Sequence, residues 1–190
     1  MANKDHPAGF RAVKHLSGGV IRLSRYHIAS AYASNIFRGD AVIPTSTGKG
    51  INRPGSASAR LIGVFDGCVF ENQQGEVQYS RYWPANTTLK TGTVADAFVY
   101  DDPNILFEVQ AAGSVTAGDI GALADPTYAT AGNPMTGVSG DELDHTTIGT
   151  GGSVLKIIDW ARRPDNELGT NVKLLVAISL HYLRGAMTTI

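Results

Sequence analysis

The sequence predicts an all-β, mainly antiparallel protein: a small β-barrel or β-sandwich body with an extended N-terminal arm and long loops. Three observations predict it. Apolar residues recur in short runs bounded by Gly, Pro, Asn and Asp, and helical periodicity is weak throughout, with one or two turns conceivable at residues 29–35. Gly is abundant, 22 of 190 residues, and charged residues are sparse at 17%, a composition suited to turns and a neutral polar surface. Third, the chain echoes itself. Gly39-Asp40 leads into an apolar run and then, past a polar loop, to Val64-Phe65-Asp66; Gly118-Asp119 leads likewise to Ile157-Ile158-Asp159. The two spacings differ by a Gly-rich, acidic stretch, so the echo reads as two β turns with similar demands.

The elements follow in order. Residues 1–19 have no period and read as an extended arm, anchored by side chains such as Phe10 and Leu16. Residues 20–190 read as the β-rich body, either single or divided into two small lobes at about 20–112 and 113–190. Residues 20–28 are β-prone. Residues 60–70 are apolar and interrupted by Gly63 and Gly67, which suits bulges or tight bends. Residues 76–83 stop at Pro84, which cannot donate to a ladder. Residues 94–100 and 105–110 flank Asp101-Asp102-Pro103-Asn104, turn chemistry at every position, and predict a hairpin. Residues 155–162 and 172–183 predict another. The second of these is apolar on both faces, which predicts a central strand. Residues 124–152 read as a long surface loop, and 45–58 as a flexible excursion.

The apolar fraction of 43% excludes wholesale disorder. The lone Cys68 permits no internal disulfide and excludes a disulfide-dependent scaffold; between Gly67 and Val69 it reads as a small buried hydrophobe. The N-terminus lacks a signal-peptide h-region, and no run approaches the ~18 apolar residues of a membrane span. The expectation is a soluble protein made in a cytoplasm, with no membrane partner.

Net charge is −1, so no overall field attracts nucleic acid. Its distribution is uneven. Residues 1–27 hold Lys4, Arg11, Lys14, Arg22 and Arg25 against Asp5 alone, whereas residues 91–155 hold no Lys or Arg and nine acids. A basic start and an acidic middle attract each other within or between subunits, or stand as solvated charges on separate loops.

Reactive constellations are scarce. Arg38-Gly39-Asp40 spells an adhesion tripeptide, but Gly-Asp is also what a turn into a strand requires. Gly48-Lys49-Gly50 lacks phosphate-loop spacing, and no Gly-x-Ser-x-Gly elbow occurs. The five histidines include no pair at ligand spacing. His145 or His181 beside an Asp would be needed for a small hydrolase. Asp141-Glu142-x-Asp144 reads as an acidic loop tip rather than a cation loop. Tyr79, Tyr82 and Trp83 beside Arg81 offer stacking chemistry for a sugar, or core packing. The residues therefore predict no catalytic group, cofactor or metal.

The opening Met1-Ala2-Asn3-Lys4-Asp5, with Gly9-Phe10-Arg11-Ala12-Val13-Lys14-His15-Leu16-Ser17-Gly18-Gly19, resembles tailed-bacteriophage structural proteins. Tyr32-x-x-Asn35-Ile36-Phe37-Arg38-Gly39-Asp40-Ala41-Val42 and then Gly63-Val64-Phe65-Asp66-Gly67 are similar to the capsid decoration (cement) proteins of such phages. The likeness covers the first half of the chain well and the second loosely. It implies a β-rich homotrimer that binds the major capsid protein on the outside of an icosahedral head and stabilises contacts between capsomers. It implies no catalytic residue, no cofactor and no direct nucleic-acid partner. The basic arm is the expected contact, through Lys4, Phe10, Arg11, Lys14, Arg22 and Arg25. The competing expectation is a tail or surface module that binds carbohydrate or a receptor.

Overall fold

The structure, a computed structural model, describes residues 3–46, 49–150 and 154–184. Fourteen strands follow one another: β1 (Arg11–His15), β2 (Ser24–Ile28), β3 (Ala41–Pro44), β4 (Ile51–Asn52), β5 (Gly63–Glu71), β6 (Val77–Ser80), β7 (Ala95–Tyr100), β8 (Ile105–Gln110), β9 (Ser114–Val115), β10 (Leu123–Thr127), β11 (Glu142–Asp144), β12 (Leu155–Trp160), β13 (Gly169–Thr170) and β14 (Lys173–Ile178). Two 3-10 turns, Ala117–Asp119 and His145–Thr147, are the only helical pieces among the described residues. The protein is all-β and its sheet pairings are antiparallel.

Two sheets carry one strand order. The first runs β2-β7-β5-β3-β4, with β6 added to β5; the second runs β8-β14-β12-β10-β11, with β1 added outside β8. Read in sequence order, β2, β3, β4, β5 and β7 occupy the places that β8, β10, β11, β12 and β14 occupy in the second. Both sheets bend until their ends meet. The His27 N–H donates to the Lys49 carbonyl at 2.8 Å, and the Ala112 N–H donates to the Leu143 carbonyl at 2.9 Å. Even the irregularities match, with a register shift between Phe65 and Gly67 in β5 and another between Ile157 and Asp159 in β12. The Gly-Asp echo thus marks two units of one topology. Its two aspartates nevertheless differ: Asp40 is fully buried, whereas Asp119 accepts from the backbone and hydroxyl of Thr116 in a capping box.

The predicted hairpin at 101–104 does not form. Those residues do turn, the Ile105 N–H donating to the Asp102 carbonyl, but β7 pairs β2 and β5 while β8 pairs β1 and β14. Local turn chemistry specifies the turn and not the partner, and here the turn carries the chain from one sheet to the other. The predicted pairing around 155–183 does form, as β12 against β14, and β14 lies centrally between β8 and β12.

Each unit encloses a core. Tyr26, Ile28, Phe65, Phe70 and Trp83 fill the first; Phe107, Leu143, Ile157, Leu174 and Val176 fill the second. The wall between them is double-sided. Ala41, Leu61 and Val64 face the second core while Val42, Ile62 and Phe65 face the first, because successive strand residues point to opposite faces. That explains why residues 61–65 are apolar without alternation.

The arm is part of this architecture. Phe10 is buried against Phe107 in an edge-on contact, centroids 6.4 Å apart, and β1 follows it directly. The Phe10 N–H donates to the Gly39 carbonyl and the Gly39 N–H to the Phe65 carbonyl, each at 2.8 Å. Gly39 sits at φ +95°, and a Cβ there would stand 2.9 Å from the Ala8 carbonyl oxygen. Glycine is thus required where arm, turn and β5 converge. Gly39→Ala is expected to lower the unfolding free energy by about 1–3 kcal/mol and to speed amide exchange at Phe10. Urea titration and hydrogen exchange check it, and unchanged values would refute the three-way contact.

Candidate docking surface

The stretch expected to be a surface loop, 124–152, instead builds β10 and β11 and carries buried acids. Asp141 is 1% exposed and Glu142 8%, so the expected acidic loop tip is absent. The reason is a cation from the other unit. Arg53, just past β4, donates through Nη2 to Asp141 Oδ1 at 2.9 Å and pairs through Nη1 with Asp40 Oδ2. Asp40 also accepts the Phe37 N–H and Asp141 the Ala41 N–H, and the Tyr128 ring lies 5.5 Å under the Arg53 guanidinium. Burial, then the neighbouring Asp40 charge, pushes Asp141 up to about 7, against the pull of Arg53. A fully buried Asp40 also removes any accessible Arg-Gly-Asp tripeptide.

The other acids of the middle are likewise engaged within the chain. Asp96 faces Arg25 and His27. Asp101 accepts from Ser24 and Tyr26, and Glu108 from Arg163 at 2.8 Å. Glu142 accepts from Gln110 and Thr130, and Asp125 from the Val154 N–H. Asp144 caps its 3-10 turn through the Thr146 N–H. Asp102 is held below the usual carboxylate range by the Asn104 backbone N–H and by His15.

The basic arm keeps most of its charge. Lys4, Arg11, Lys14 and Arg22 are exposed, and none is ion-paired among the described residues. Arg25, 72% exposed along its side chain, lies 3.5 Å from Asp96 and 5.9 Å over the Phe98 ring. Phe10, expected as a contact, is buried in the chain's own core, where it holds the arm to the body. The exposed cations are interleaved with exposed Val13, Leu16, Val20 and Leu23. His15 shapes this strip. Its Nδ1 accepts the Gly19 N–H at 3.0 Å and the Ser17 N–H at 3.3 Å, which leaves Nε2–H to donate to Asp102 at 3.2 Å. Gly19 lies so close that a Cβ there would stand 2.9 Å from the imidazole.

Below the strip a cavity of about 460 Å³ opens between the arm and the first sheet, lined by Phe10, Arg11, Arg38, Asp66 and Tyr100 among others. Arg38 Nε donates to Asp66 Oδ1 at 2.7 Å. The remaining chemical candidates are dispersed. Trp83 is fully buried on Phe70, and Tyr82 stacks on Phe37, so only Tyr79 of the aromatic trio is strongly exposed. Lys49 lies over the Tyr26 ring, and Gly48 falls outside the described residues. The buried Nδ1 of His145 and Nε2 of His181 have no hydrogen-bond partner. Burial pushes the Cys68 thiol up to about 12, which keeps it protonated. No group of three or more His, Cys, Asp or Glu among the described residues is arranged to hold a metal, and no described helix is long and apolar enough to cross a membrane. Comparison with protein-family models, curated proteins and solved structures gave no match.

Two buried groups give opposite pH dependences. Burial, then Arg184, lowers His181 from 6.5 to about 4. Between those values the unfolded chain binds the extra proton, so this group's stability is lost as pH falls. Asp141, raised from 3.8 to about 7, takes up its proton in the folded state, so its contribution is lost as pH rises through that window. In urea titrations between about pH 4 and 7, His181→Gln is expected to remove the first slope and Asp141→Asn the second. The same slope in both variants would contradict the assignment.

Proposed function

We propose that this chain is a virion structural protein, a capsid decoration (cement) protein whose basic N-terminal strip docks on the major capsid protein at the outer surface of an icosahedral phage head. The observation that carries the reading is the division of charge. The acids of residues 91–155 find partners within the chain, while Lys4, Arg11, Lys14 and Arg22 are left exposed beside apolar side chains on one terminal segment. Such a strip favours an acidic partner surface with apolar patches and gives salt-sensitive recognition.

The fold supports the same role. Two antiparallel units with interlocked cores form a stiff block, and a stiff block bridging neighbouring capsomers resists their separation. Many copies each making modest contacts provide avidity without one strong site. Self-association as a homotrimer, virion location and the absence of catalysis belong to this proposal, and its ligand is a protein surface rather than nucleic acid.

Removing residues 1–19 would be a poor test, since it deletes Phe10 from the core and β1 from its sheet. Charge reversal is cleaner. With Lys14→Glu and Arg22→Glu combined, binding to expanded heads is expected to weaken on the order of tenfold or more, about 1.4 kcal/mol or more. For the unaltered protein it should weaken as salt rises from about 0.05 to about 0.5 M. Co-sedimentation with heads measures both. Unchanged binding of the variant at every salt concentration would reject the strip as the docking surface, and no binding by the unaltered protein would reject the proposal.

A further inference from the structure

The strand edges of this protein are unequal in how they are protected. β2 and the chain beside β4 cover each other through the His27–Lys49 hydrogen bond, and β11 meets Ala111 and Ala112. β1 ends its sheet, but a register shift between Ala12 and Lys14 distorts it, and it carries Arg11 and Lys14. Bulges and basic side chains are the usual means of blunting an edge. β6 has neither. It pairs β5 in unbroken register from Glu71↔Val77 to Cys68↔Ser80, and its four residues, Val77-Gln78-Tyr79-Ser80, carry no charge, proline or bulge. Apart from this ladder, no backbone group of 77–80 makes a backbone hydrogen bond among the described residues. Val77 is 62% exposed and Tyr79 81%.

We propose that β6 is a self-pairing edge: two copies of this chain join antiparallel, β6 to β6, across a two-fold axis at Gln78. The occupant follows from charge and register. A second copy brings no like charge against this strand, whereas self-pairing through β1 would set Arg11 and Lys14 near their own copies. A two-fold axis perpendicular to a sheet places residues of the same face opposite each other, so the register must centre on one residue. Centred on Gln78, it sets Val77 opposite Tyr79 twice, with Glu76 facing Ser80. Centred on Tyr79 it sets Val77 against Arg81, and centred on Val77 it sets Tyr79 against Gly75. Aromatic–β-branched cross-strand pairs are among those that stabilise antiparallel pairing, so the Gln78 register is the best of the three.

A four-residue edge falls short of the ~1,200–2,000 Å² that a stable interface buries. The contact is accordingly weak in dilute solution and forms at high local concentration. It joins copies in pairs, lies on the first unit rather than on the N-terminal strip, and stands whether or not the protein docks on a capsid.

Gln78→Cys tests it directly. Cross-strand antiparallel partners have Cα atoms about 4.5–5.5 Å apart, within disulfide range. At about 1 mM protein under mild oxidation, the Gln78→Cys chain is expected to become a disulfide-linked dimer far faster than the exposed turn control Thr91→Cys, and Tyr79→Lys added to it should abolish that advantage. Chains with Glu76→Cys and chains with Ser80→Cys should cross-link to each other and not to themselves. Circular dichroism of each variant confirms the fold. Gln78→Cys cross-linking no faster than Thr91→Cys, in folded protein, would overturn the proposal.

Discussion

Arg53 between Asp40 and Asp141 is the constraint on which the rest of the structure depends. The two carboxylates are almost wholly buried and the guanidinium mostly so, and they come from different units. Asp40 heads β3 of the first, and Asp141 precedes β11 of the second. Burying any one of the three alone would be strongly unfavourable, because an uncompensated charge inside a protein costs several kcal/mol. Together they offset one another's charge, although Asp40 Oδ1 has no hydrogen-bond partner, and they draw the chain around them into place. The Ala41 N–H reaches Asp141, the Arg38 N–H reaches the Gly137 carbonyl, and the Ser139 N–H reaches the Arg38 carbonyl. The segment 128–141 is thereby laid over the Gly39-Asp40 turn, which also receives the arm through Phe10. Arm, first unit and second unit all meet within a few residues of Asp40.

The body was legible in the sequence because strand-length apolar runs and turn residues are local signals. β14 read as central because it is apolar on both faces, and it is central. What was not legible is pairing over distance. Asp101-Asp102-Pro103-Asn104 has the chemistry of a hairpin and serves as a crossing between sheets. Asp141 and Glu142 look like surface acids because nothing nearby in sequence neutralises them, and Arg53 lies 88 residues away from Asp141. The Gly-Asp echo was visible as a local resemblance, yet its meaning as a repeated topology needed the strand order. Of the expected contact residues, Lys4, Arg11, Lys14 and Arg22 stand exposed and Arg25 faces Asp96. Phe10, read both as an anchor of the arm and as a contact, is buried as an anchor, whereas Leu16, the other expected anchor, is exposed. Nothing local in the sequence marked the open edge at β6, where Tyr79 stood out only as one of an aromatic cluster with Tyr82 and Trp83.

The charge layout links fold to proposed function. Acids that appear free along the sequence are engaged in caps, turns and the Arg53 cluster. Of the exposed cations without an ion pair among the described residues, Lys4, Arg11, Lys14 and Arg22 lie on the N-terminal segment shaped by His15 and fixed by Phe10, while Lys49, Arg60 and Arg81 stand elsewhere on the body. That N-terminal strip, basic and partly apolar, is the feature on which the proposed role as a surface-binding structural component rests.

Equilibrium unfolding of Arg53→Met, followed through Trp83 in the first unit and Trp160 in β12 of the second, each observed with the other tryptophan replaced by Phe, tests whether the ion cluster couples the two units. The unaltered chain is predicted to unfold in one transition at both probes. Arg53→Met is predicted to lose about 3–5 kcal/mol, the cost of leaving buried carboxylates without their cation. A loss below about 1 kcal/mol, the range of an exposed ion pair, or separate transitions at the two tryptophans in the unaltered chain, would contradict the view that this ion cluster binds the two units into one.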